Sequence, residues 1–326
     1  MSPSRALSES ERSSLPSAAD RRIRSLRPPK PFVDPDRAHG SLIERERRPD
    51  GTLETVLTVF LAGAECPFTC AFCDLWQWTI DGPPRPGALT RQLEAVVAAT
   101  DLANIQRLKL YNASNFFDSH AVPAEDVDGI AALARGFRSV TVESHAGTIG
   151  EKTLAFSRRI PARLEVAVGL ETIHPVALAS LNKRLDVGRF DAAARLLRDN
   201  GIDLRVFVLL GAPYVPAADS REWTLRTVEH AVEQGASVIS IIPLRGGNGE
   251  MERLQGLGEL VPPTLRDLET VLDEAVRFAG AVVTADLWDV ERLPACELCC
   301  KERFERMRRI NLTGAMLPPV ECVECD

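Results

Sequence analysis

Three cysteines in the run Glu65-Cys66-Pro67-Phe68-Thr69-Cys70-Ala71-Phe72-Cys73 carry the strongest chemical signal in this chain. A structural metal site closes its shell with four protein ligands, whereas a catalytic one keeps a position open for substrate or cofactor. Three thiolates within eight residues can wrap an iron-sulfur cube and leave its fourth iron free for a small molecule. The alternative is a zinc knuckle that borrows a distant fourth ligand. A second group lies at the other end, Cys296-Glu297-Leu298-Cys299-Cys300 and Cys322-Val323-Glu324-Cys325. Its two C-x2-C pairs, separated by 22 residues, make a four-thiolate set of Cys296, Cys299, Cys322 and Cys325 suited to zinc, with Cys300 left over. Between the pairs, Lys301, Arg303, Arg306, Arg308 and Arg309 form a basic helix that either meets an anionic partner or is a solvated face.

The elements that must position these thiols follow from hydrophobic patterning. The first cysteine loop directly follows an apolar, β-branched run over 55–62, where a site at the carboxyl end of a first barrel strand falls. Short apolar strands are expected near 55–63, 106–111, 138–143, 164–170, 204–210 and 238–242, separated by helical stretches. Residues 188–200 carry Phe190, Ala193, Ala194 and Leu197 at helical spacing before Gly201. Thr264 and Asp267 read as a capping box ahead of Leu268, Val271, Leu272, Ala275 and Val276. Alternating strands and helices predict an α/β chain, a partial (β/α)6 TIM-type barrel with a small Cys-rich C-terminal extension. The expected divisions are a Ser-, Arg- and Pro-rich flexible arm at 1–50, a core barrel at 51–284 and a metal-binding extension at 285–326.

C-x3-C-x2-C with Phe72 just before its last cysteine resembles the cluster loop of the radical S-adenosylmethionine (SAM) enzymes. The resemblance implies a 4Fe-4S cluster on Cys66, Cys70 and Cys73 that chelates SAM and cleaves it to methionine and a 5'-deoxyadenosyl radical. It also implies a one-electron donor such as flavodoxin or ferredoxin. SAM contacts then belong at the strand ends. Asn112, Ala113 and Ser114 stand where the family commonly has a Gly-Gly-Glu segment for the SAM amino group. Glu143 ends the third expected strand and, with Glu171, is a candidate for the ribose hydroxyls. Arg205 is a candidate for the SAM carboxylate if it points inward, and Gly211 opens a turn where backbone can approach adenine. The segments Gly169-Leu170-Glu171-Thr172 and Leu181-Asn182-Lys183 are similar to the branch that contains the elongator catalytic subunit and the radical SAM partner of archaeosine synthase. The same resemblance adds an auxiliary iron-sulfur cluster to zinc as an occupant of the second cysteine group.

Composition bounds the remaining choices. The 326 residues, 45% hydrophobic and 26% charged, are ordinary for a globular protein. All eight cysteines fall in the two groups, which favours metal binding over a disulfide framework. No apolar run is long enough to span a bilayer, and the start lacks a signal-peptide pattern, so a soluble, cytoplasmic protein with no membrane partner is expected. The net charge of -7 gives no electrostatic invitation to nucleic acid. Two substrate classes remain, a small metabolite and a modified RNA nucleoside. A non-catalytic zinc protein with two cysteine sites is the alternative of another kind.

Overall fold

The computed structural model describes residues 16–325. One eight-stranded sheet organises them, its strands adjacent in chain order. They are β1 (Gly40–Arg47), β2 (Leu53–Phe60), β3 (Arg107–Tyr111), β4 (Ser139–Glu143), β5 (Arg163–Glu171), β6 (Asp203–Leu210), β7 (Val238–Pro243) and β8 (Val282–Ala285). From β2 to β8 every pairing is parallel, while β1 folds back antiparallel on β2. Parallel neighbours need long crossovers, and helices supply them: α1 (Ala18–Leu26) precedes the sheet, followed by α2 (Ala88–Ala98), α3 (Ala124–Ala134), α4 (Glu151–Arg159), α5 (Pro175–Ser180), α6 (Val187–Asp199), α7 (Ser220–Glu233), α8 (Glu250–Gly256), α9 (Leu265–Ala275) and α10 (Cys300–Thr313). The sheet curls into a half-barrel. Among the described residues β1 and β8 each pair with one neighbour only, and α10 packs against both of these edge strands.

The six expected strands are β2 to β7. The outer face of the sheet and the helices bury one continuous core, with Leu108, Val140, Val166, Val206 and Ile239 on the strands. In α6 the buried residues are Phe190, Ala193, Ala194 and Leu197, the stripe read from spacing, and burying a side chain such as Phe190 stabilises by roughly 1.5–3 kcal/mol. The capping box also forms, Thr264 Oγ1 accepting from the Asp267 amide at 3.1 Å.

The expected flexible arm is corrected for residues 16–50; residues 1–15 lie outside the described part. Here α1 is capped by Ser17, and β1 is the edge strand of the sheet. The turn between β1 and β2 is built on Pro49-Asp50-Gly51, with Gly51 at φ 81° and Asp50 accepting from the Thr52 amide. The divisions at 50 and 284 therefore do not separate independent packed units, because β1 completes the sheet and α10 packs on it. Among the described residues no helix is long and apolar enough to cross a membrane.

The concave face is charged rather than oily. Glu165 Oε1 accepts from Arg107 Nη1 and Arg205 Nε, each at 2.8 Å, and from Thr141 Oγ1 at 2.9 Å. Arg205 also reaches Glu46 at 2.8 Å, Arg107 reaches Glu54 at 2.6 Å, and Lys109 bonds Glu44 and Glu46. Burial alone raises the Glu165 carboxyl, but Arg205 and Arg107 outweigh it and hold it at about 2. Its folded value lies below the ordinary 4.5, so its contribution is full above pH 4.5 and is lost as pH falls through about 2. Glu165→Ala leaves two guanidiniums buried without their shared partner. The expected cost is about 3–5 kcal/mol, measured as a lower urea midpoint, together with a flatter acid limb below pH 4.5. An unchanged midpoint refutes this account of the inner face.

Candidate metal centre

The first cysteine loop, residues 64–74, leaves the carboxyl end of β2 without regular structure. Its own backbone supplies little, so side chains from four other segments hold it. Asn182 Nδ2 donates to Thr69 O at 2.9 Å, to Thr69 Oγ1 at 2.8 Å and to Asp20 Oδ1 at 2.9 Å. Asp20 itself accepts from Thr69 Oγ1 and pairs with Arg184 at 2.9 Å. Burial works against its charge, but bonds from Thr69 and Asn182 hold its carboxyl well below the usual carboxylate range. Ala71 is gripped twice: its amide donates to Leu181 O at 2.9 Å, and its carbonyl accepts from Asn248 Nδ2. Asn248 Oδ1 also caps α8 through the Met251 amide at 3.0 Å. Gly249 must be glycine, because a Cβ there runs into Leu26 O at the end of α1. The glycine-rich stretch 246–249 is thus a bracket between α1 and the cysteine loop.

The thiols themselves are free, and no disulfide links them. Burial pushes all three up, Cys70 to about 12, with the Lys183 ammonium opposing the shift at Cys66 and Cys70. Ionised Cys70 and Cys66 each disfavour the Cys73 thiolate, a mutual repulsion that a bound cation relieves. Asn115 Nδ2 donates to Cys66 Sγ at 3.3 Å, and its Oδ1 accepts from the His145 amide at 2.7 Å. His145 stacks on Phe68 with ring centroids 4.1 Å apart, and its Nε2 lies 3.0 Å from Lys183 O. Burial and the Lys183 charge lower the imidazole to about 4, so it is neutral near pH 7.

The residues expected at the strand ends divide into three groups. Asn112 is buried and Ser114 half-buried just after β3, and Asn112 Nδ2, Asn112 Oδ1 and Ser114 Oγ have no hydrogen-bond partner. Leaving a buried polar group unsatisfied costs about 1–3 kcal/mol, and such groups call for a ligand. Three orphaned atoms on the segment whose Asn115 bonds Cys66 Sγ fit a cluster with a polar small molecule on it. Ala113 sits between them at φ 55°. The second group is already engaged. Glu143 Oε1 accepts the Asn112 amide at 2.8 Å and is also bonded by the amides of Ala113 and Ser114. Burial nevertheless raises its carboxyl to about 7. Glu171, at φ 68° in a bulge of β5, bonds Lys183 Nζ at 2.7 Å and folds over Gly169, where a Cβ comes within 2.6 Å of that nitrogen.

The third group is corrected. Arg205 points inward but is bound by Glu165 and Glu46, so its charge is not free for a ligand carboxylate. Gly211, at φ 77°, has Pro263 Cδ 2.8 Å from where its Cβ would stand. That proline and the backbone angle each call for glycine at this turn. The basic helix is corrected in part: Arg303 and Arg306 of α10 are buried in ion pairs with Glu269 of α9, while Lys301, Arg308 and Arg309 are exposed. The tail thiols Cys296, Cys299, Cys322 and Cys325 do come together, all within 4.8 Å, while Cys300 turns toward Glu297 O.

Sequence reasoning missed Asp20, Thr69, Asn115, His145 and Asn248 as supports. Only Asn182 and Lys183 carried a signal, through their Leu-Asn-Lys segment. Asp20→Ala removes the hub joining α1, Thr69, Asn182 and Arg184. It should loosen residues 66–73 by about 1–3 kcal/mol, seen as faster amide exchange in that loop with β5 to β7 unchanged; unchanged loop exchange refutes the assignment.

No family model matches the sequence, and no curated protein matches it. Solved structures do match. The chain is similar to the radical SAM methyltransferase TsrM of Kitasatospora setae, solved with tryptophan substrate and a SAM analogue, at 16% identity and TM-score 0.44 over 62% of this chain and 39% of that one. It is similar to the archaeal Elp3 of Methanocaldococcus infernus at 12% identity and TM-score 0.52, over 70% and 60%. A radical SAM methyltransferase of Sphaerobacter thermophilus matches at 15% identity and TM-score 0.49, over 86% and 85%. The chain spans about two fifths of the length of the first and three fifths of the second. The likeness to the archaeal Elp3 structure is one of fold, a partial α/β barrel.

Proposed function

We propose that this protein is a radical SAM enzyme with its cluster on Cys66, Cys70 and Cys73. The observation that carries the reading is the pairing of three free thiols with three orphaned polar atoms on Asn112 and Ser114. When bound, a 4Fe-4S cluster supplies the electron that cleaves SAM to methionine and a 5'-deoxyadenosyl radical, which takes a hydrogen atom from the substrate.

The chain's part is to bind, orient and exclude water. Asn115 donates to the Cys66 sulfur, and Lys183 sets a positive charge against the thiolates while neutralising Glu171. Asn112 Oδ1 and Ser114 Oγ are acceptors for a ligand ammonium, and Asn112 Nδ2 is a donor for its carboxylate. Glu143 holds the three successive amides of residues 112–114, which fixes where those acceptors point. A ribose contact by Glu143 or Glu171 has to be shared with these protein bonds.

A small-molecule substrate is favoured over an RNA nucleoside. Arg303 and Arg306 are spent on Glu269, Arg27 on Glu65 and Arg22 on Glu250, which takes up part of the basic character that the arm and α10 offer to phosphates. The carboxyl ends of the strands instead present rings, with Phe60 packed on Trp288 at 5.2 Å and on Tyr111 at 6.1 Å.

Anaerobic reconstitution followed by reduction in the presence of SAM tests the reading. Wild type is expected to bind about four irons at this loop and release 5'-deoxyadenosine, and the variant with Cys66, Cys70 and Cys73 changed to Ala to lose both. Asn112→Ala with Ser114→Ala should keep the iron and weaken SAM binding about tenfold or more, the equivalent of one lost net bond of about 1.4 kcal/mol. Zinc without iron in the wild type overturns the proposal and leaves a non-catalytic zinc protein.

A further inference from the structure

The tail thiols and their surroundings carry an assignment independent of the first loop. Cys296 Sγ lies 3.8 Å from Cys322 Sγ, and Cys299 Sγ lies 3.8 Å from Cys325 Sγ. All four sulfurs stand within 4.8 Å of one another. Four thiolates about 2.3 Å from one ion at tetrahedral corners stand about 3.8 Å apart. A cubane places each thiolate on a different iron, at the outside of a larger body, and so spreads all four sulfurs. A two-iron cluster keeps two close pairs and separates one pair from the other. Neither matches a set that is compact in every direction.

We propose that Cys296, Cys299, Cys322 and Cys325 bind a single zinc ion, and that this ion locks α10 across the open side of the half-barrel. Four thiolates leave no open position, the mark of a structural site. The surroundings are built for the charge of such a centre. Arg303 Nε donates to Cys299 Sγ at 3.1 Å, and Arg303 Nη1 bonds the buried carboxylate of Glu269. Arg306 takes the other Glu269 oxygen at 3.1 Å, Asp273 at 2.8 Å, and the carbonyls of Leu317 and Pro318 at 2.6 Å each. These contacts join the sulfur set to α9 on one side and to the returning tail on the other, as outer-shell partners of a metal centre do.

The mechanical role follows from where α10 lies. Cys299 is its N-cap residue, and Cys296 lies in the turn just ahead, its carbonyl accepting the Cys300 amide at 3.0 Å. Its far end meets both sheet edges: Asn311 bonds the Ala285 amide at 2.9 Å and carbonyl at 2.8 Å, and a Cβ on Gly314 would strike the Arg47 guanidinium of β1. The helix therefore satisfies the Ala285 edge groups of β8 and packs on β1. With its buried residues limited to Arg303, Arg306, Met307 and Ile310, α10 has a small apolar face, and a metal cross-link at its start compensates for it.

The test uses the full chain carrying Cys66, Cys70 and Cys73 changed to Ala, so that a failure of the cluster reading leaves it unaffected. Metal analysis should find about one zinc per chain, lost when Cys296→Ser and Cys322→Ser are added. Cobalt(II) substituted for zinc in the same protein should give the strong visible bands of a tetrahedral four-thiolate site, a readout that does not depend on the serine variants folding. Stripping the metal with a chelator should speed amide exchange in residues 300–313 about tenfold or more. Two or four irons per chain make the site an auxiliary cluster, one iron makes it a different mononuclear centre, and no metal makes the thiols idle. Each of these overturns the zinc assignment, and unchanged exchange after stripping overturns the lock.

Discussion

Everything at the candidate centre depends on immobilising a loop that cannot immobilise itself. Residues 64–74 form no helix or strand long enough to order three buried thiols, and thiolates crowded together repel. One amide group, Asn182 Nδ2, answers much of this by donating to the backbone and side chain of Thr69 and to Asp20 at once. Asp20 extends the grip to α1 and Arg184, while Leu181 O and Asn248 fasten Ala71 from two further directions. The loop is held by polar contacts because a metal centre needs its ligands fixed while their sulfurs stay available. Apolar packing alone does not give that directional control.

The inner face of the sheet imposes a second constraint. Strands of a parallel barrel are ordinarily packed with branched apolar side chains, but here Arg107, Lys109 and Arg205 are matched by Glu44, Glu46, Glu54 and Glu165. Two of those carboxylates come from β1, so the antiparallel strand is more than an edge: it supplies the counter-charges that let three cations remain buried. Unpaired, each of them has a prohibitive desolvation cost. This links the segment before residue 50 to the stability of strands more than a hundred residues later.

That same link explains where the sequence was legible and where it was not. Strands β2 to β7 announce themselves because their outer faces are apolar, and α6 and α9 because their buried stripes have helical spacing. β1 does not, since three of its four half-buried positions, Glu44, Glu46 and Arg47, are charged, and such a run reads as solvated. The Pro49-Asp50-Gly51 turn was the available signal for its hairpin. β8 has four residues and is too short to register. At the site, cysteine spacing exposed the ligands, and Gly-Leu-Glu-Thr with Leu-Asn-Lys marked two segments that the fold brings together as the Glu171–Lys183 pair. Their supports were invisible because a buried Asp, Thr or His is defined by a partner distant in the chain. Arg205 shows the converse, an inward cation whose partners take it away from the role its position suggested.

Backbone strain closes the argument. Six described residues other than glycine have positive φ, and four of them, Ala113, Glu171, Asn182 and Arg184, surround the cysteine loop. An L-residue in this region costs roughly 1–2 kcal/mol, so the concentration needs a return. Ala113 turns the chain so that three successive amides converge on Glu143 and leave Asn112 and Ser114 facing the loop. Glu171 turns its carboxylate back over Gly169 to Lys183. Asn182 and Arg184, flanking that lysine, turn to reach Asp20 on opposite sides. Each strained residue aims a polar group that a relaxed strand end could not aim, which is the relation expected where a fold is bent to serve a ligand.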